Sequence, residues 1–390
     1  MKMKGADTFI PYARQSVSEE DISAVVSVLR SDWLTQGPAI VEFERSVADY
    51  CGASHAVAVN SATSALHIAC LAIGLGPGDT LWTSPNTFVA SANCALYCGA
   101  SVDFVDIDPA TGNMSIDSLT RRLEEAEKQG KLPKVVIPVH FAGQSCEMDR
   151  IAILARRYGF KVIEDASHAI GGRYQDTKIG ASAFSDMTVF SFHPVKIITT
   201  GEGGMIVTNN KDLYDRLTLF RSHGITRDPA MMEGESHGPW YYQQVALGFN
   251  YRITDIQAAL GRSQMNRLDE FVTRRNLLAD RYDRLLKDIP LSLPLRRPEA
   301  YSACHLYVVR LMDGQDHLRV FNELRANGIG VNLHYIPVHA HPYYRGLGFK
   351  DGAFPEAERH YREAISLPMY FSLTDAEQDR VVETLGNILR

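Results

Sequence analysis

Between residues 54 and 208, short and almost wholly apolar runs alternate with longer stretches whose apolar positions recur every three or four residues. HAVAVN leads into SATSALHIACLAIGLG, DTLWTS into FVASANCALYCG, and SVDFVDID into IDSLTRRLEEAEKQ. PKVVIPVH then leads into CEMDRIAILARRYG, and FKVIEDAS follows. Runs that are apolar throughout, rather than at every second position, predict strands covered on both faces. With helices between them they predict an α/β fold: a mostly parallel sheet in a three-layer sandwich, joined by right-handed crossovers. MTVFSF and GGMIVTN are separated by a loop too short for a crossover helix, so this pair is predicted to run antiparallel or to lie apart in the sheet.

Residues 254–287 predict one long helix, capped by Thr254 or Asp255. The proline-rich stretch DIPLSLPLRRPEA marks a boundary. Beyond it, HLYVVRL, DHLRVFNELRANG and VNLHYIPVH predict a smaller α/β unit. The expected division is a large domain over residues 16–253 and a small one over 254–390 together with 1–15.

Composition narrows the class. Forty basic against 46 acidic residues leave a net charge of −6, which argues against nucleic acid as a partner. A phosphate-bearing ligand then needs local donors. No apolar run is long enough for a membrane span, and the opening MKMKGADTFIPY lacks the apolar core of a signal peptide, so a cytoplasmic protein is expected. The six cysteines are scattered and form no paired C-x-x-C motif. They read as buried free thiols in a reducing compartment, with no metal site.

Three segments carry candidate chemistry. In MTVFSFHPVKIITTGEGGMIVTN a strand delivers Ser191 to its end, a loop presents Lys196, and Gly201, Gly203 and Gly204 turn the chain back. A lysine in apolar surroundings loses its proton readily and attacks aldehydes; a solvated loop lysine would look the same. FKVIEDASHAIGG is an apolar strand ending in Glu164 and Asp165, at the strand end where α/β proteins place ligands, with His168 three residues on. An Asp there would hold a proton on a pyridine nitrogen; the bland alternative is a cap or surface pair. In AVAVNSATSALHIAC, Ser61, Ala62 and Thr63 stand at a strand-to-helix turn whose free N–H groups suit a phosphate, or serve plain N-capping. Phe88 follows the next strand, placed to stack on a flat ring or to join the core. No single segment decides, but their order does: phosphate turn, aromatic, Asp, Ser, then Lys with glycines, each at the end of a successive strand.

These residues resemble the DegT/DnrJ/EryC1/StrS family of sugar aminotransferases. DWLTQGPAIVEFE, NSATSAL, EDASHA, SFHPVKIITTGEGG, GFNYRITDIQAALG and HYIPVH all match its patterns, over nearly the whole chain. The resemblance implies the type I aminotransferase fold and the cofactor pyridoxal 5′-phosphate (PLP). It implies that Lys196 bonds the cofactor, Asp165 pairs with its ring nitrogen and His168 packs beside the ring. Ser61, Ala62, Thr63 and Ser191 would then bind the phosphate, and Phe88 would stack. Asn250, in GFNYR, would reach across a homodimer interface to the partner's phosphate site. Related dehydratases carry histidine in place of the lysine, so Lys196 implies transamination. One departure is Ala62, where many relatives have glycine.

FRSHGITRDP, GPWYYQQVALGFNYRITDIQ, HYIPVHAHPYYRGLGF and FPEAERHYREAISLP are similar to the branch of pseudaminic acid biosynthesis. That branch aminates the C4 ketone of a UDP-linked 4-keto-6-deoxy-N-acetylhexosamine with L-glutamate as donor. The alternative within the family is another nucleotide-linked keto sugar, dTDP or UDP, at C3 or C4. Arg221, His223 and Arg227 are candidate diphosphate contacts, and His334 and Tyr335 candidates for the substrate mouth; solvated surface residues and an ordinary loop would read the same. A nicotinamide enzyme would instead want G-x-G-x-x-G after the first strand, where this chain has SATSAL.

Overall fold

The computed structural model describes residues 9–390. Seven strands form the central sheet: β1 (His55–Val59), β2 (Thr80–Thr83), β3 (Ser101–Phe104), β4 (Val135–Ile137), β5 (Lys161–Asp165), β6 (Met187–Ser191) and β7 (Gly204–Thr208). Their order is β1-β7-β6-β5-β4-β2-β3. The β3–β2, β2–β4, β4–β5 and β5–β6 pairs are parallel. β7 alone runs the other way, antiparallel to both β1 and β6, with Ser191 opposite Gly204. This is one of the two arrangements the short loop allowed. Six of the seven strands therefore end on one edge of the sheet.

The helices on this sheet are α1 (Glu19–Leu29), α2 (Pro38–Cys51), α3 (Ala62–Ile73), α4 (Ala90–Tyr97), α5 (Ile116–Gln129), α6 (Met148–Tyr158), α7 (Lys211–Arg221), α8 (Asp255–Met265) and α9 (Leu268–Leu285). Successive side chains of a strand face opposite ways, and the core divides accordingly. Val57, Val59, Ile163, Met187 and Val189 pack with α3 and α4. Ala56, Ala58, Phe190 and Met205 pack with α2 and α8, and Val136 and Val162 with α5 and α6. Both faces are covered, which is why the strands read as continuous apolar runs.

The single helix expected over 254–287 is two. Thr254 caps α8 in a reciprocal pair with Gln257, and the chain leaves helical geometry at Arg267 (φ −111°, ψ 5°) before α9. Ala258 and Met265 of α8 and Leu268, Phe271 and Val272 in the first turns of α9 bury against the central sheet. Further along α9, Leu278, Ala279 and Tyr282 bury in a second core, so this one helix joins the two.

That second core lies under an antiparallel sheet of β8 (Leu291–Ser292), β9 (Tyr307–Leu311) and β10 (Ala364–Leu367), with α10 (His317–Ala326) and α11 (Asp375–Leu389). Ile10 joins it, paired with Ile329. VNLHYIPVH adds no strand to this sheet; only Asn332 pairs, with Ser366, and the segment runs on toward the edge of the central sheet.

At the turn into β7, a Cβ on Gly204 would lie 2.6 Å from the carbonyl of Ser61 and 2.7 Å from the amide of Ala62. Glycine is required here because two backbones touch. Gly204→Ala is expected to lower stability by roughly 1–3 kcal/mol, read as a lower denaturant midpoint. A midpoint equal to wild type would show that the strand can move away from α3 freely.

Candidate active site

The edge where the strands end carries a cavity of about 430 Å³. The pleat decides what enters it. Asp165 shares a strand face with Ile163, and Ser191 shares one with Met187 and Val189, so both side chains emerge on the α3–α4 side. Glu164, one residue earlier, faces the other way. It accepts from His140 Nε2 at 2.6 Å, Ser185 Oγ at 2.5 Å and Thr188 Oγ1 at 3.2 Å, all outside the cavity. The adjacent carboxylates of the EDAS motif thus have separate jobs.

Asp165 is buried and rigidly held. Ser91 Oγ donates to Oδ2 at 2.6 Å, supported by a 2.8 Å contact with Thr87 Oγ1, and the Ser167 amide donates to Oδ1 at 3.1 Å. Its backbone is tied on both sides, by its own amide to the Pro138 carbonyl and by the His140 amide to its carbonyl. The loop to Lys196 is also closed on itself. The Gly203 carbonyl accepts from the Phe192 amide, the Phe192 carbonyl from the Thr200 amide and from Thr199 Oγ1 at 2.9 Å, and the His193 carbonyl from the Lys196 amide. Lys196 lines the cavity, and burial lowers its amine pKa to about 8, with Asp165 pulling the other way. An amine that gives up its proton more easily than a free lysine thus shares one small space with the Asp165 side chain.

At the opposite wall α3 begins. Ser61 is its N-cap, and its hydroxyl accepts from the Ser64 amide at 3.1 Å. The amides of Ala62 and Thr63 in the first turn have no acceptor within the helix and carry its positive dipole end. Both residues line the cavity, facing Ser191. Phe88 lines it too and leaves 60% of its surface exposed, so its ring face is available. His168 Nε2 meets Tyr335 Oη at 3.1 Å. Burial, then Lys196 and His334, hold its imidazole well below its ordinary pKa, and Nδ1 is a buried atom with no partner.

The structure brings together Ser61, Ala62, Thr63, Phe88, Asp165, His168, Ser191, Lys196 and Tyr335. It places the other expected residues elsewhere. His334 sits behind the wall, bonded through Nδ1 to Ser366 Oγ at 2.7 Å, and burial holds its pKa down to about 3. The Arg221 guanidinium pairs with Glu44 and donates to the Ala58 carbonyl at 2.9 Å, so it ties α7 to α2 and does not face this cavity. His223 and Arg227 are exposed and do not line it, and neither does Asn250, exposed too, which pairs through its backbone with Ser222. Polar lining residues that were not anticipated include Tyr12, Thr87, Ser91, Ser167 and Glu202. Ser167 comes to the site by lying two residues after Asp165, to which its amide donates; Tyr12, Ser91 and Glu202 reach it only through tertiary packing.

A phosphorylated pyridine aldehyde fits this donor set. The helix N-terminus would take the phosphate, Phe88 one ring face, Asp165 the ring nitrogen, and Lys196 the aldehyde carbon. His168 Nδ1 leaves an unused polar atom beside the ring.

Two outcomes follow from the electrostatics. In the cofactor-free protein, labelling of Lys196 by an amine-reactive reagent should rise with a midpoint near the pKa of about 8. Asp165→Asn should move that midpoint lower still, since the carboxylate acts to raise it; a midpoint near that of a free lysine would contradict the buried amine. Ser91→Ala removes a hydrogen bond to a charged group, worth about 1.5–3 kcal/mol. A fall in kcat of roughly ten- to hundredfold is expected, and an unchanged kcat would show that Asp165 needs no such support.

The chain matches the DegT/DnrJ/EryC1/StrS aminotransferase family over residues 15–386. It is 40% identical to the spore coat polysaccharide biosynthesis protein SpsC of Bacillus subtilis (strain 168), over 98% of this chain and 97% of that protein. It is 36% identical to a UDP-4-amino-4,6-dideoxy-N-acetyl-beta-L-altrosamine transaminase of Campylobacter jejuni, over 97% of each. Among solved structures, Helicobacter pylori PseC, an aminotransferase involved in the biosynthesis of pseudoaminic acid, superposes with a TM-score of 0.89 at 30% identity, over 98% of this chain and 99% of that one. The chain belongs to the DegT/DnrJ/EryC1/StrS aminotransferase family, has its fold, and is an aminotransferase whose cofactor is pyridoxal phosphate.

Proposed function

We propose that this enzyme is a sugar aminotransferase that moves the amino group of L-glutamate to the C4 ketone of a UDP-linked 4-keto-6-deoxy-N-acetylhexosamine, giving the UDP-4-amino-4,6-dideoxy-N-acetyl-beta-L-altrosamine of pseudaminic acid biosynthesis. The observation that carries the reaction class is one cavity holding Lys196, Asp165 and the N-terminus of α3. The choice of a sugar acceptor rests on the two relatives whose names specify that chemistry.

Bound PLP supplies an electron-withdrawing ring that stabilises negative charge at the carbon beside the transferred nitrogen. The chain's own residues do the rest. Asp165, already accepting from Ser91 and Ser167, would pair with the ring nitrogen and hold a proton on it. Lys196 Nζ, with its pKa near 8, is partly neutral at working pH and so can take a proton from the donor carbon and return one to the acceptor side. The amides of Ala62 and Thr63 with Ser191 would hold the cofactor's phosphate and so position it for Lys196. Burial of the imidazoles around His168 keeps further positive charge away from that amine.

The enzyme works as a homodimer in this reading. Asn250 is exposed and outside its own cavity, the position expected of a residue that completes the partner's phosphate site. Six buried free thiols suit work in the reducing cytoplasm.

Two measurements test the proposal. Glutamate alone should change the visible spectrum of the bound cofactor, and a UDP-4-keto-6-deoxy-N-acetyl sugar should restore it. Restoration by simple 2-oxo acids and by no 4-keto sugar would defeat the sugar assignment and leave the aminotransferase standing. Lys196→Ala and Asn250→Ala chains, each nearly inactive alone, should regain activity on mixing, because one site of the mixed dimer then carries both defects and the other none. No recovery would place Asn250 in its own chain's site or outside either.

A further inference from the structure

Glu164 is a carboxylate at the end of an otherwise apolar strand face. Val162, two residues earlier on that face, packs with Val136 among the apolar side chains of α5 and α6. Neither Glu164 nor its partner His140 lines the cofactor cavity, and both are buried, His140 completely. A carboxylate in such a place is costly to desolvate, and an apolar residue of its size often fills such a space as stably. Stability alone does not call for a charge here.

The pair does account for the place of Asp165. The Glu164 carboxylate ties β5 to three neighbours: His140 after β4, Ser185 just ahead of β6, and Thr188 within β6, its register partner. His140 also grips Asp165 directly, since its amide donates to the Asp165 carbonyl at 3.0 Å while its ring donates to Glu164. The segment bearing His140 is anchored in turn. The Phe141 amide donates to Asn113 Oδ1 at 2.9 Å, and Asn113 Nδ2 donates to the Gln144 and Ser145 carbonyls. At its far end β6 leads to Ser191 and the Lys196 loop. One carboxylate thus couples the strand that ends in Asp165 to the strand that delivers Lys196. Burial pushes the Glu164 carboxyl up, and the bonds from His140, Ser185 and Thr188 bring it below its ordinary range, so the tie is a charged one. We propose that Glu164 and His140 are positioning residues: from the far face of the sheet they fix the place of Asp165 relative to Lys196. This rests on the role given to Asp165 above.

The test is a double-mutant cycle with Asp165→Asn. Glu164→Gln keeps the size of the side chain and removes its charge. In the cofactor-free protein it should lower the labelling midpoint of Lys196, as Asp165→Asn does, because a carboxylate held less firmly does less to keep the amine protonated. In the Asp165→Asn background the same substitution should move the midpoint no further. A direct effect of the Glu164 charge on the amine would lower it equally in both backgrounds. Any result other than a downward shift confined to chains with Asp165 overturns the proposal. In the holoenzyme, Glu164→Gln should lower kcat roughly tenfold or more, with KM for donor and acceptor within about twofold; an unchanged kcat overturns the proposal as well. Should Glu164→Gln fail to fold, Ser185→Ala, which removes a half-buried donor to the same carboxylate, is read in the same cycle by the same criteria. If Asp165→Asn lowers both midpoint and kcat while Glu164→Gln lowers neither, Asp165 keeps its role and only the positioning pair falls. If Asp165→Asn itself changes neither, the role of Asp165 falls and the pair with it.

Discussion

A parallel sheet ends all its strands on one edge, and a pleated strand sends alternate side chains to alternate faces. The site depends on these two constraints together. They bring Asp165 and Ser191 to the same side as the first turn of α3, although more than a hundred residues separate them in the chain. They also send Glu164 away, into bonds with His140, Ser185 and Thr188. The one antiparallel strand, β7, returns the chain from the Lys196 loop so that Gly204 lies against the Ser61 backbone. That contact locks the phosphate end of the cavity to the lysine end, so the spacing between them is a property of the sheet and not of a loop.

The electrostatic arrangement is economical. Lys196 gains its low pKa from burial, and the only carboxylate set against that effect is Asp165. His168 at the wall and His305, His334 and His360 behind it are all held below the ordinary imidazole pKa, because burial favours their neutral forms; Lys196 adds to it for the first three and Arg310 for His360. Tyr335 caps this group and its hydroxyl meets His168. Four imidazoles therefore pack beside the site in a form that burial keeps from adding positive charge.

Much of the site was legible because its residues are local to strand ends. Ser61, Ala62, Thr63, Asp165, Ser191 and Lys196 each sit where an apolar run stops, and an apolar run can be read directly. Ser91 was not legible: it lies in the helix FVASANCALYCG with nothing to mark it, yet it makes the shortest bond to Asp165. Tyr12 and Glu202 enter from segments without a periodic pattern. Arg221 shows the opposite error. A guanidinium suits phosphate in general, but Glu44 and the Ala58 carbonyl claim this one, and no one-dimensional pattern shows which partner wins.

By itself the sequence determined the layered α/β fold, the identity of the strand-end residues and, through its family resemblance, the cofactor. Hydrophobic periodicity is a property of each segment on its own and needs no knowledge of the others. Only the tertiary structure decided how those segments are spent: that the helical stretch breaks at Arg267 and that α9 beyond the break joins two cores, that AISL rather than VNLHYIPVH closes the second sheet, and that His334 supports the wall while Tyr335 lines it. Each of these choices turns on which surfaces meet, and a meeting of surfaces depends on pairs of residues far apart in the chain.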